Sequence, residues 1–126
     1  MEHMEKAHQL RASVDVHYNC AQSVLVTFAK EMGLTEQQAY ELGANFGSGM
    51  RCGSACGALT GALMVLGMTG QDAKNASDLL FRMKKNHSAV DCAVLLKNSH
   101  DQGIPKKAHC DGLVFEMVET LSEILK

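Results

Sequence analysis

The chain of 126 residues has no tryptophan, a single proline and only 5% aromatic residues. Alanine, leucine, methionine and glutamate are plentiful, and together these features favour an all-helical domain over a sheet. Strong charge of either sign is also missing. A formal charge of -2 and a pI near 6.3 argue against nucleic acid or an anionic membrane as the main partner. No apolar run reaches the ~20 residues of a spanning helix. The longest, Ala55 to Met68, is interrupted by Gly57, Thr60 and Gly61. The first residues, MEHMEKAHQLR, lack the apolar core of a signal peptide. A soluble, cytoplasmic protein is therefore expected. There is no Gly-x-Ser-x-Gly, no Walker-type phosphate loop, no internal repeat and no composition shift that would mark a domain boundary. The length suits one domain, residues 1–126, with a core large enough that no disulfide staple is needed.

What the chain does have is cysteine and glycine in a pattern. Five cysteines occur: Cys20, Cys52, Cys56, Cys92 and Cys110. Two of them lie in FGSGMRCGSACGALTGALMVLG, residues 46–67. Gly47, Gly49 and Gly53 make a regular helix costly there; they allow positive φ, close backbone approach and N–H groups turned toward an anion or a sulfur. Gly53, Gly57 and Gly61 recur every fourth residue, flanked by Ala58 and Ala62, a small face on which another helix backbone can rest. This Gly/Ala-rich helix is expected at the centre of a compact all-α bundle of about five to six helices.

Around it, periodicity predicts helices over Glu2 to Val16, Cys20 to Met32, Glu36 to Ala44, Gln71 to Asn86, Cys92 to Lys97 and His109 to Leu125. Asn19 reads as an N-cap, Thr35 with Gln38 as a capping box, Gly33 as a C′ residue and Ser54 as the cap of the glycine-rich helix. Residues 98–107, with Gly103 and Pro105, read as a loop. On these boundaries Cys20, Cys56, Cys92 and Cys110 each fall in the first turn of a helix, and Cys52 stands just ahead of one. Helix N-termini favour the thiolate, the form that binds metal or reacts. A buried cysteine also serves simply as a small hydrophobe, which is the competing reading.

Cys52 and Cys56 form a CxxxC. Zinc sites more often repeat a closer pair twice, and no second pair exists here, which ranks zinc below iron–sulfur. His17 lies three residues before Cys20 and His109 adjoins Cys110; His3, His8, His87 and His100 have no such context. A dithiol/disulfide centre would need only two of the five thiols, with Cys52 and Cys56 the first candidates.

NCAQSV at 19–24, FGSGM at 46–50, GSACGALTGALMVLG at 53–67 and the isolated Cys92 and Cys110 together resemble the C-GCAxxG-C-C family of redox-active proteins. That family is similar to a domain of the split-Soret cytochromes c. The resemblance implies a small helical redox protein holding a two-iron two-sulfur cluster, with the family pattern falling on Cys20, Cys56, Cys92 and Cys110. In this chain Ala55 and Gly57 flank Cys56, so the literal Gly-Cys-Ala order is not met. No Cys-x-x-Cys-His occurs, so covalent haem is not expected.

The expectation is electron transfer or redox sensing, with Cys20, Cys56, Cys92 and Cys110 as metal ligands and Gly47, Gly49, Gly53 and Gly57 lining the cofactor. Cys52 with Cys56 serves as the redox-active pair in the metal-free alternative. A third reading is a non-catalytic interaction domain with packed cysteines. The partner would be a redox protein or a small-molecule oxidant or reductant, not nucleic acid or membrane; a homodimer is compatible.

Overall fold

Seven α-helices and one short π-helical turn make up the computed structural model, which describes residues 2–126. The α-helices are α1 (Glu2–Ala12), α2 (Cys20–Thr27), α3 (Glu36–Leu42), α4 (Gly57–Met68), α5 (Ala73–His87), α6 (Cys92–Asp101) and α7 (Lys106–Ile124). The glycine turn, Gly49–Gly53, sits between α3 and α4. The all-α class is as expected, with more helices than the five to six foreseen. Among the described residues the only extended pairing is one antiparallel bridge, Ala55 with Asp91.

The hub is α2 rather than the glycine-rich helix. Seven of its eight residues, Ala21 to Thr27, are buried, and it packs against α1, α3, α4 and α7. Three of those residues are polar, which is why periodicity alone undervalues this helix. Their hydrogen bonds are satisfied internally, so burial costs little. Gln22 Nε2 donates to Tyr40 O at 2.9 Å, Ser23 Oγ to Asn19 O at 2.8 Å and Thr27 Oγ1 to Ser23 O at 2.7 Å. The last two bonds run back to the carbonyl four residues earlier, a habit that bends helices. The helix stops at Thr27, five residues short of the expected Met32, and tighter turns carry the chain to Gly33 at φ +73°.

Caps read from the sequence fix the start of α2 and α3. Asn19 Oδ1 accepts from Gln22 N at 2.7 Å while Asn19 N donates to Gln22 Oε1 at 2.9 Å. Thr35 and Gln38 exchange the same two bonds. Elsewhere the boundaries move. Helix α1 ends at Ala12, four residues short of the expected Val16, and Val14 is in solvent. Arg11 Nη1 donates to Tyr18 O at 2.8 Å and holds the connecting segment that feeds α2. Helix α6 runs four residues past Lys97, because Asn98 to Asp101 contains no breaker, and Gly103 at φ +77° follows its end. Helix α7 begins immediately after Pro105, three residues before the expected His109.

The glycines of α4 do what a small face should. A Cβ on Gly57 would lie 2.7 Å from Phe46 O and 3.2 Å from Ala21 N; one on Gly61 would lie 3.1 Å from Ala21 O. Both therefore let α4 press against the first turn of α2. Gly53 is not on that face. It belongs to the glycine turn, at φ +75°, and meets Ala93 of α6. Among the described residues no helix is long and apolar enough to cross a membrane.

Candidate functional site: a four-thiol chamber

Cys20, Cys56, Cys92 and Cys110 line one cavity of about 120 Å³. They come from four separate segments. Cys20 opens α2 directly after its capped Asn19. Cys56 is the N-cap residue of α4, not a first-turn residue as expected from a Ser54 cap. Cys92 is the first residue of α6. Cys110 is the fifth residue of α7, so the expected first-turn placement is lost with the earlier helix start.

Backbone hydrogen bonds bring two of these segments side by side. Cys56 N donates to Val90 O at 2.8 Å, and Cys92 N donates to Ser54 O at 2.6 Å. The Ala55–Asp91 bridge thus clamps Cys56 beside Cys92 across 36 positions of sequence. The glycine turn makes room for this. Ser48, Gly49, Met50 and Arg51 form an unbroken run of left-handed residues, φ 53° to 65°. A Cβ on Gly49 would overlap the Ser54 carbonyl and stand 2.7 Å from Cys92 Cβ. Each non-glycine residue in that conformation costs about 1–2 kcal/mol, so the turn must be held by its surroundings.

The four glycines expected at a cofactor all serve close approach. Gly47 faces the Asn19 side chain, Gly49 faces Ser54 and Cys92, Gly53 faces Ala93, and Gly57 faces Phe46 O and Cys20. Of these, Gly57 also lines the chamber.

Cys52 is not brought into the chamber. It is exposed, and its Sγ donates to Gly49 O at 3.6 Å. Cys52 and Cys56 do not share a helix face, because α4 begins only at Gly57 and the chain between them passes through Gly53 at φ +75° and the bridged Ala55.

The thiols differ electrostatically. Cys110 is pulled down to about 7, first by the facing Cys20 thiol and then, against the penalty of burial, by Arg11 and Lys106. Cys20 moves the opposite way, raised by the same interaction with Cys110 and by burial. Burial raises Cys56, which is 3% exposed, although the N–H groups of Leu59 and Ala58 oppose the rise. Burial also raises Cys92. In the metal-free protein, thiolate at Cys110 should therefore be half-formed near pH 7. Alkylation of Cys110 followed by peptide mass spectrometry is expected to reach its half-maximal rate there, below the ~8.5 of a free thiol. A midpoint at or above that of free cysteine would contradict this assignment.

His17 and His109 reach the chamber wall as well, together with Arg11 and Lys106. His109 Nδ1 pairs with Ser99 Oγ, and burial lowers its pKa, as does His87. Arg11 Nε donates to Asp111 Oδ1 at 2.6 Å. Asp111 is also bonded by Lys107, and these cations hold its carboxyl below the usual range despite the penalty of burial. Arg11, Lys106 and the bridge residues are invisible to motif reading. Arg11 and Lys106 are ordinary charges on amphipathic helices until the fold turns them toward the thiols.

Among the described residues no group of three or more His, Cys, Asp or Glu side chains stands close enough to hold a metal ion. The four thiols share a wall without converging on one point. A family model described as "Putative redox-active protein (C_GCAxxG_C_C)" matches residues 18–124, from Tyr18 to Ile124. No curated protein and no solved structure matches the chain.

Proposed function

The chain belongs to the C_GCAxxG_C_C redox-active family, and on that premise we propose that its redox group is the chamber of Cys20, Cys56, Cys92 and Cys110, loaded with a two-iron two-sulfur cluster. The observation that carries this reading is the gathering of four cysteines from four segments around one small cavity. Cysteines retained only for packing have no reason to meet. The donor chemistry fits: thiolates are the ordinary ligands of iron–sulfur clusters.

When bound, such a cluster supplies one-electron transfer. The protein's own part is to hold four sulfurs at the junction of α2, α4, α6 and α7 and to exclude bulk water from the most buried of them, Cys56. Arg11 and Lys106 place positive charge beside sulfurs that must be deprotonated to bind metal. Electrons would pass to a redox partner protein or a small-molecule oxidant or reductant.

A second reading rests on a specific observation, the opposed shifts of Cys20 and Cys110. A low-pKa thiolate facing a protonated thiol is the arrangement of a dithiol/disulfide couple. This replaces the CxxxC pair as the metal-free alternative, because Cys52 stands outside the chamber.

Anaerobic purification with iron and acid-labile sulfide analysis separates the two. The expected result is about two irons and two sulfides per chain, with Cys20, Cys56, Cys92 and Cys110 resistant to alkylation and Cys52 reactive. Colourless, iron-free protein after reconstitution, with a reversible two-electron thiol couple, would leave the dithiol reading standing and sink the cluster.

A further inference from the structure

A second depression of about 300 Å³ adjoins the thiol chamber, and the two share Arg11, His17, Lys106 and Cys110. Cys110 therefore has two sides: one turned to the other thiols, one turned to this opening. The opening is cationic. Arg11, Lys106 and Lys107 line it, and no acidic residue does. The one carboxylate bonded to these cations is Asp111, which takes Arg11 Nε and Lys107 Nζ. Lys106 makes no hydrogen bond or ion pair among the described residues, and α7 starts at this residue without a side-chain cap. Three fixed positive charges against one negative leave an excess of two at the mouth of a chain whose net charge is -2. Leu10 and Tyr18 add apolar wall.

We propose that this cationic depression is the mouth through which a small organic anion reaches the redox site. The proposal rests on the chamber's being that site. It also extends the reading, because it assigns the charge, size and point of approach of the reactant. Size favours a small molecule: ~300 Å³ is the lower range of small-ligand sites, and Cys110 is part of the lining. Charge favours an anion, since a cleft lined by one sign concentrates the opposite one. The apolar wall favours an organic body behind the charged group. Lys106, uncommitted to any partner, is the principal contact, and Arg11 is held in place by Asp111 and Tyr18 O.

The test compares two alkylating agents of nearly equal size on the metal-free full chain, anionic iodoacetate and neutral iodoacetamide. Both react by attack of the Cys110 sulfur on carbon with loss of iodide, so the thiolate fraction cancels in the ratio of their rates. Rates at Cys110 are read by peptide mass spectrometry, with free cysteine as reference. In ~10 mM salt the iodoacetate/iodoacetamide ratio at Cys110 should exceed that of free cysteine by about threefold or more. In ~1 M salt, where the screening length falls to ~3 Å, the excess should vanish. Lys106→Gln and Lys107→Gln should each lower the ratio, whereas Lys97→Gln, on exposed α6, should not. A ratio equal to that of free cysteine, or one that Lys106→Gln leaves unchanged, would overturn the proposal. Iron content plays no part in this readout, so loss of the cluster reading would leave the result interpretable.

Discussion

Gly49→Ala is expected to destabilise the protein by about 3 kcal/mol or more and to expose the thiol chamber. Two costs add. Gly49 has φ +63°, where a β-carbon costs about 1–2 kcal/mol. The new methyl would also overlap the Ser54 carbonyl and approach Cys92 Cβ to 2.7 Å. Ser54 cannot yield easily, since its N donates to Gly49 O at 2.8 Å and its O accepts from Cys92 N at 2.6 Å. Relief must come from moving Cys92 and the start of α6. Overpacking of this kind adds about 1–3 kcal/mol. Denaturant unfolding should show the loss as a lower midpoint at unchanged slope. Faster alkylation of Cys92 and Cys56 in the native variant would follow from the broken bridge. A Gly70→Ala control also removes a left-handed glycine, φ +73°, but meets nothing within 4 Å. It should cost only the backbone share and leave both thiols protected. Equal losses in the two variants would show that the turn does not brace the chamber.

The second large effect is expected from Cys20→Ala, which should lower both bound iron and the reactivity of Cys110 at pH 7. Cys20 is one of four proposed ligands, and its removal should reduce bound iron to near zero. Its methyl replacement should also release Cys110. The facing Cys20 thiol is the largest influence holding Cys110 at about 7. Without that thiol, burial acts against the thiolate and only Arg11 and Lys106 favour it, so the alkylation midpoint of Cys110 should rise toward ~8.5 or beyond. At pH 7 the variant's Cys110 would then react several-fold more slowly, a loss that recovers as pH is raised. Cys52→Ala is the matched control, because Cys52 lies outside the chamber; iron content and the Cys110 midpoint should both stay put. An unchanged midpoint in Cys20→Ala would mean that the two thiols do not sense one another in solution.

Much of the site was legible one residue at a time. Periodicity and caps located α2 and α3 at their N-termini, because capping is a local exchange of hydrogen bonds within four residues. The link of Cys20 to a helix start followed from Asn19 alone. The same local logic failed for Cys110. Nothing within four residues marks Lys106 as a helix residue except Pro105, and assigning that proline to a loop put the start three residues late. It failed again at Gly53, whose four-residue spacing to Gly57 imitates a helix face while its φ of +75° places it in the turn.

By itself, then, the sequence determined an all-helical chain, the glycine-rich interruption before α4 and membership of a cysteine family, since composition, spacing and motif are one-dimensional properties. Only the tertiary structure decided that α2 is the hub. Burial of Gln22, Ser23 and Thr27 depends on bonds that a hydropathy pattern does not carry. It alone showed how Cys52 is kept out of the chamber and Cys92 is brought into it. The first follows four consecutive left-handed residues and stays exposed, and the second is drawn in by two backbone hydrogen bonds to a segment 36 positions away. And it alone set Arg11 and Lys106 beside Cys110, because which charges share a cavity is a property of packed helices and not of any one of them.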